Sequence, residues 1–164
     1  MTHLADATAA VPGFHPATDA EEVTLGSGSV ARFVAPGRLT QGRFGLFEWR
    51  LAPHTGGTDT HLHRTFSESF YVTAGTVRLY DGRRWVTGRP GDFLHVPEGR
   101  AHGYRNETAD PAAMLVLFAP GAPREAYFRE LAEIGASGRT LSDDEWVDLW
   151  ARHDQYRVDP ADRD

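Results

Sequence analysis

The chain has 164 residues, enough for one domain with a real core, and its 40% hydrophobic and 24% charged residues are those of an ordinary soluble globular protein. A net charge of −6 with no basic run argues against a nucleic-acid partner. All 17 basic residues are arginine and there is no cysteine, so lysine Schiff-base and phosphate-loop chemistry, thiolate nucleophiles, iron–sulfur clusters and zinc–thiolate sites are excluded.

Residues 1–20 are rich in Ala, Pro, Thr and Gly without periodicity and read as a flexible arm. No positive stretch followed by an apolar run marks a secretion signal. The longest apolar run, residues 112–119, is too short to span a bilayer. The expectation is therefore a cytoplasmic protein without a membrane partner.

Short strands follow over residues 22–25 and 29–35, separated by a Gly26–Gly28 turn, and over 44–51, where Phe47, Trp49 and Leu51 share one face. A loop with Gly56 and Gly57 leads into His61. His61 and His63 are two apart, so on a strand both leave the same face, and Glu68, Phe70 and Val72 share a parity in the strand that ends at Ala74. Two imidazoles and a carboxylate aimed into one interior carry a penalty of several kcal/mol unless a partner satisfies them. A divalent cation would, which makes a metal site the first hypothesis.

Gly75 closes this strand, and a positive φ would explain the glycine. Asp81–Gly82 between strands at 76–80 and 84–87 signals a hairpin. Strands at 93–96, at 101–106 with His102 and Tyr104 in matched parity, and at 112–119 complete an antiparallel sandwich or barrel. Beyond Pro120 and Pro123 the pattern becomes helical: Tyr127, Phe128, Leu131 and Ile134 form a stripe over 124–134, with Gly135 expected as the stop. Ser142 and Glu145 form a capping box for a second helix, with Trp146, Val147, Leu149 and Trp150 on its apolar side, and a polar, frayed tail is expected after Arg157. The organisation expected is an arm (1–20), a β-barrel (21–122) and a helical appendage (123–164).

His61-x-His63-x4-Glu68-x6-Gly75 resembles the first motif of the cupin superfamily, and Gly91-x5-Pro97-x-Gly99-x2-His102-x3-Asn106 resembles the second. One departure is Thr55 where the first motif usually opens with glycine; a one-residue loop shift would bring in Gly56. The resemblance implies an all-β fold, a double-stranded β-helix or jelly-roll barrel, here with two C-terminal helices. It also implies that His61, His63, Glu68 and His102 ligate one divalent transition metal, and such a mixed N/O set suits Fe, Mn, Co, Ni, Cu or Zn. Asn106, Gly75, Gly91, Pro97 and Gly99 read as framework. His95 and His54 read as surface or packing residues, and His3, His15 and His153 as solvated ones.

Phe47, Trp49, Phe70 and Tyr104 are candidates to line a substrate pocket, Phe70 and Tyr104 first because they stand beside ligands in sequence. The helices either lid the barrel mouth or cover a sheet face. The ending Leu-Phe-Ala-Pro-Gly, followed by the helix Ala-Tyr-Phe-Arg-Glu-Leu-Ala, resembles one-domain quercetinases. That resemblance implies a dioxygenase acting with dioxygen on a flavonol-like or other enolisable aromatic small molecule, with Glu68 both a ligand and the catalytic proton acceptor. A non-oxidative isomerase, cyclase or lyase on a hydroxyketone or polyketide-like substrate, and a small-molecule-binding module without catalysis, are the alternatives. A homodimer is expected from the family habit and from exposed sheet edges.

Overall fold

Strict alternation of burial along the strands builds two facing sheets, and the computed structural model describes them within residues 12–57 and 59–159. One sheet has six strands in the order β1 (Glu22–Thr24), β2 (Val30–Ala35), β3 (Gly45–Leu51), β11 (Ala112–Ala119), β6 (Ser67–Ala74) and β9 (Phe93–Val96). The other has four: β4 (Thr55–Gly56), β10 (Gly103–Asn106), β7 (Val77–Tyr80) and β8 (Trp85–Gly88). All pairings are antiparallel. The short β5 (His61–Leu62) joins the second sheet through mutual 2.9 Å backbone bonds between His61 and His102. This is the expected double-stranded β-helix.

The core lies between the sheets. Phe47, Trp49 and Leu51 of β3, Ala112, Met114, Val116 and Phe118 of β11, and Phe70 and Val72 of β6 all point inward. Removing their apolar surface from water supplies the main folding drive, roughly 1.5–3 kcal/mol per large side chain.

Turn chemistry fixes the register. Asp81 accepts from the Arg83 and Arg84 amides and closes the β7–β8 hairpin. Gly75 has φ +67, and a Cβ there would stand 2.6 Å from the Pro111 carbonyl oxygen, so no other residue fits without movement. Buried Asn106 donates to the Ala52 and Asp110 carbonyls and accepts from Thr108, tying the end of β3 to the β10–β11 loop.

The helices α1 (Arg124–Ser137) and α2 (Asp143–Arg152) close one end of the barrel. Phe128 docks α1, meeting Phe47 at 5.2 Å and Trp49 at 5.1 Å between ring centroids. Arg129 forms a two-point ion pair with Glu21 beside β1. The Ser142–Glu145 capping box opens α2 as expected.

Several sequence expectations change. Gly135 does not stop α1, which runs on to Ser137 and ends at Gly138 with φ +67. Gly135 instead lets the helix approach the β1–β2 turn, since a Cβ there would lie 2.7 Å from the Gly26 nitrogen. Val147 is exposed rather than on the covered side of α2, whose packed side is Trp146, Leu149 and Trp150.

The segment after α2 is tied down. Tyr156–Arg157 forms β12, which pairs with β5, and the Val158 amide bonds to the Thr60 carbonyl. His153 is not solvated: it packs on Tyr127 and bonds to Glu130 at 2.7 Å. Within the expected arm, residues 1–11 lie outside the described residues, while Ala17–Asp19 forms a 3-10 turn whose Ala17 carbonyl accepts from Arg32. No helix among the described residues is long and apolar enough to cross a membrane.

A candidate metal centre under an aromatic cavity

Strand parity and the closure of the two sheets bring His61, His63, Glu68 and His102 together. One ligand atom from each lies within 4.8 Å of the others, and all four residues are buried. Glu68 rises from β6 on the six-stranded sheet, and its Oε2 sits 2.7 Å from His102 Nε2 and 3.0 Å from His63 Nε2. His102 stands on the opposing sheet, on the same inner side as His61, with ring centroids 4.4 Å apart.

Each imidazole is oriented by a backbone carbonyl. Nδ1 of His61 faces the Asp59 oxygen at 2.9 Å, Nδ1 of His102 faces that of Arg100 at 3.1 Å, and Nδ1 of His63 faces that of Asp154 at 2.6 Å. A carbonyl only accepts, so Nδ1 carries a proton in all three rings, and Nε2 is the nitrogen left to face the centre. A metal-binding imidazole is held in this way.

The charge state agrees. Burial would push the Glu68 carboxyl up, but the charge and hydrogen bonds of His102 and His63 hold it well below the usual range. Burial, then the neighbouring imidazoles, push His61 well down, and burial lowers His63. A cation binds an ionised carboxylate and imidazoles with Nε2 free, so it would take the place of the protons that His63 and His102 share with Glu68. The residues therefore fit a divalent transition metal, and three nitrogens with one oxygen suit the mid-to-late first-row ions.

His61 and Glu68 also open onto a cavity of about 240 Å³ between barrel and helices. Trp49 and Tyr104 line it, as the sequence reading allows. Tyr104 needs room: a Cβ on Gly57 would fall 2.5 Å from its ring, so the glycine requirement near Thr55 rests on Gly57 rather than on Gly56. Burial raises the Tyr104 hydroxyl pKa far above the ordinary phenol value, keeping it protonated. Phe47 and Phe70 do not line the cavity. Phe47 is in the core against Phe33, Phe118 and Phe128, and Phe70 packs 5.8 Å from both His102 and Tyr104.

The rest of the wall comes from outside the motifs: Arg124, Tyr127 and Phe128 of α1, Trp146 and Trp150 of α2, and Gln155. The helices thus cover sheet and mouth at once. The sequence held one signal for Arg124, since a cation at the first position of a helix opposes the helix dipole and needs another reason to be there. His95 lies on the outer face, bonded to Ser69, and His54 is exposed.

Comparison with known proteins agrees with the architecture. Residues 47–118 match the family model described as Cupin domain. Over 133 residues the chain is 29% identical to quercetin 2,3-dioxygenase of Bacillus subtilis, a match covering 81% of this chain but only 38% of that enzyme. Among solved structures, the polyketide cyclase RemF from Streptomyces resistomycificus aligns with TM-score 0.56 and 23% identity, over 66% of this chain and 80% of that one. A cupin-superfamily sugar phosphate isomerase from Silicibacter pomeroyi aligns with TM-score 0.55 and 24% identity, over 62% and 72%. These structural likenesses speak for the fold alone.

Proposed function

We propose that the chain is a metal-dependent cupin enzyme, a dioxygenase acting on an enolisable aromatic small molecule. One observation carries this reading: Glu68 belongs to the ligand cluster and also borders an aromatic-walled cavity, so one carboxylate can serve both metal and substrate. The distant likeness to a quercetin dioxygenase supports the same class. The metal, when bound by His61, His63, Glu68 and His102, would supply Lewis acidity toward a substrate oxygen.

The chain's own residues do the rest. Trp49 and Tyr104 hold an aromatic ring and keep water out. Glu68, ionised and bordering the cavity, takes the substrate's acidic proton on its carboxylate. The cavity of about 240 Å³ lies below the roughly 300–1,000 Å³ of most ligand pockets, so one- and two-ring substrates fit better than a three-ring flavonol.

The test is to purify the protein without a metal-binding tag, measure bound metal, and load each first-row divalent ion. Anaerobic mixing with a panel of flavonols and smaller enolisable phenols should shift the ligand spectrum, and oxygen should then bleach it with oxygen uptake. Absence of bleaching and uptake with every metal would remove the oxygenase reading. Turnover that ignores oxygen would move the enzyme to the isomerase, cyclase or lyase class.

The same reading makes the chain a cytoplasmic homodimer. Exposed Tyr71 and Phe93, cross-strand neighbours near the β9 edge, supply apolar surface for the pairing. A monomer mass in sedimentation velocity would remove the dimer.

A further inference from the structure

Among the described residues Arg124 is the only buried arginine, 4% exposed, and it lines the cavity above the histidine cluster. Its guanidinium is gripped from one side by the segment after α2. Nη1 donates to the His153 carbonyl and Nη2 to Gln155 Oε1, each at 2.9 Å. Gln155 is itself anchored to the Tyr127 hydroxyl at 3.1 Å. On the other sides stand the rings of Tyr127, Phe66, Phe118 and Phe128, at 4.3 to 5.5 Å. Its Nε–H has no acceptor in the protein, and none of the ion pairs formed among the described residues involves Arg124.

A buried charge without a counter-ion is expensive, and a fold normally removes it or pairs it. Here no carboxylate among the described residues comes within ion-pair distance, Glu68 and Asp154 acting on the cation only from further off, and the chain places it on the wall of a small-molecule cavity. A cation on the wall of a cavity is best matched by an anionic occupant of that cavity. The group it suits is planar and singly charged, because a guanidinium fork matches a carboxylate. A phosphate would call for more donors than one arginine already committed at both ends.

We propose that the cavity binds an aromatic carboxylate, with Arg124 receiving the carboxylate and the aromatic walls the ring. This deepens the functional reading by naming the substrate class and rests on that reading only for catalysis. Binding itself requires no metal. Gln155 acts as a positioning residue, fixing the fork that faces the ligand.

The test uses metal-free full-length protein and follows tryptophan fluorescence, since Trp49, Trp146 and Trp150 border the cavity. Benzoate is the probe and benzamide its neutral counterpart. Benzoate should bind about tenfold or more tightly than benzamide, as expected for a hydrogen bond to a charged group. Arg124→Gln should erase that preference and leave benzamide binding unchanged.

Should Arg124→Gln fail to fold, Gln155→Glu keeps the size of the side chain and gives the guanidinium an internal carboxylate. It too should erase the preference. Equal binding of the two probes by the unaltered protein, or no binding of either, overturns the proposal. So does a benzoate preference that survives Arg124→Gln or Gln155→Glu, because the carboxylate is then going to the histidines. Metal stoichiometry and oxygen uptake are measured separately, so failure here leaves the metal-centre reading standing, and the reverse also holds.

Discussion

The two ends of the cavity are built by different means. At the floor, the ligand side chains leave β5, β6 and the extended chain beside β5 and β10, and the three rings are fixed by main-chain carbonyls. At the roof, Arg124, Tyr127, Trp146 and Trp150 come from two helices docked through side chains, Tyr127, Phe128 and Leu149 in the core and a few side-chain bonds at the rim. Backbone-fixed geometry tolerates little displacement, which suits a coordination sphere. Side-chain packing tolerates more, which suits contacts that must accept a substrate and release it. On the proposed reading, the difference separates a part that sets chemistry from a part that sets choice.

Substitutions can break this contrast. The largest effect is expected for Glu68→Gln, which removes the anionic ligand and should reduce bound metal from about one per chain to near none, read by elemental analysis. Phe128→Ala should destabilise the fold by about 3–5 kcal/mol, measured by chemical denaturation. Metal stoichiometry of the folded fraction should stay unchanged if floor and roof are independent. Loss of metal would show that they are one unit.

Next comes acid. The His61 and His63 pKa values lie below 6.5 in the folded state, so the unfolded chain takes up protons that the folded chain refuses. Stability of the metal-free protein is therefore complete above about pH 6.5 and falls below it, by up to about 1.4 kcal/mol per pH unit for each histidine. Melting temperatures that hold constant from pH 7 to 5 would contradict this. Smallest is Arg129→Ala at the roof's exposed pair with Glu21, expected to shift stability by under about 1 kcal/mol.

The floor was legible in the sequence because both of its determinants are local. The i, i+2 spacing of His61 and His63 puts them on one side of a strand, and Glu68, Phe70 and Val72 do the same in β6. Gly75 and Asp81–Gly82 announce turns by backbone preference alone. The roof was legible only as two amphipathic helices. Arg124 meets Gln155 across 31 positions, and His63 meets Asp154 across 91, distances at which no periodicity links partners. Gly135 misled because glycine serves equally to stop a helix and to let one lie against a neighbouring backbone, and only the packing at Gly26 tells which. Phe47 and Phe70 share the inward parity of true cavity residues, yet parity cannot separate filled core from open space.

The reach from His63 to Asp154 has a consequence for biosynthesis. The Asp154 carboxylate also holds the Arg64 and Thr65 amides. A nascent polypeptide with position 154 still inside the ribosome therefore displays all four ligands but lacks the clamp on one imidazole. If the cluster takes up an ion as proposed, loading before that segment emerges would meet a looser, less selective set of ligands.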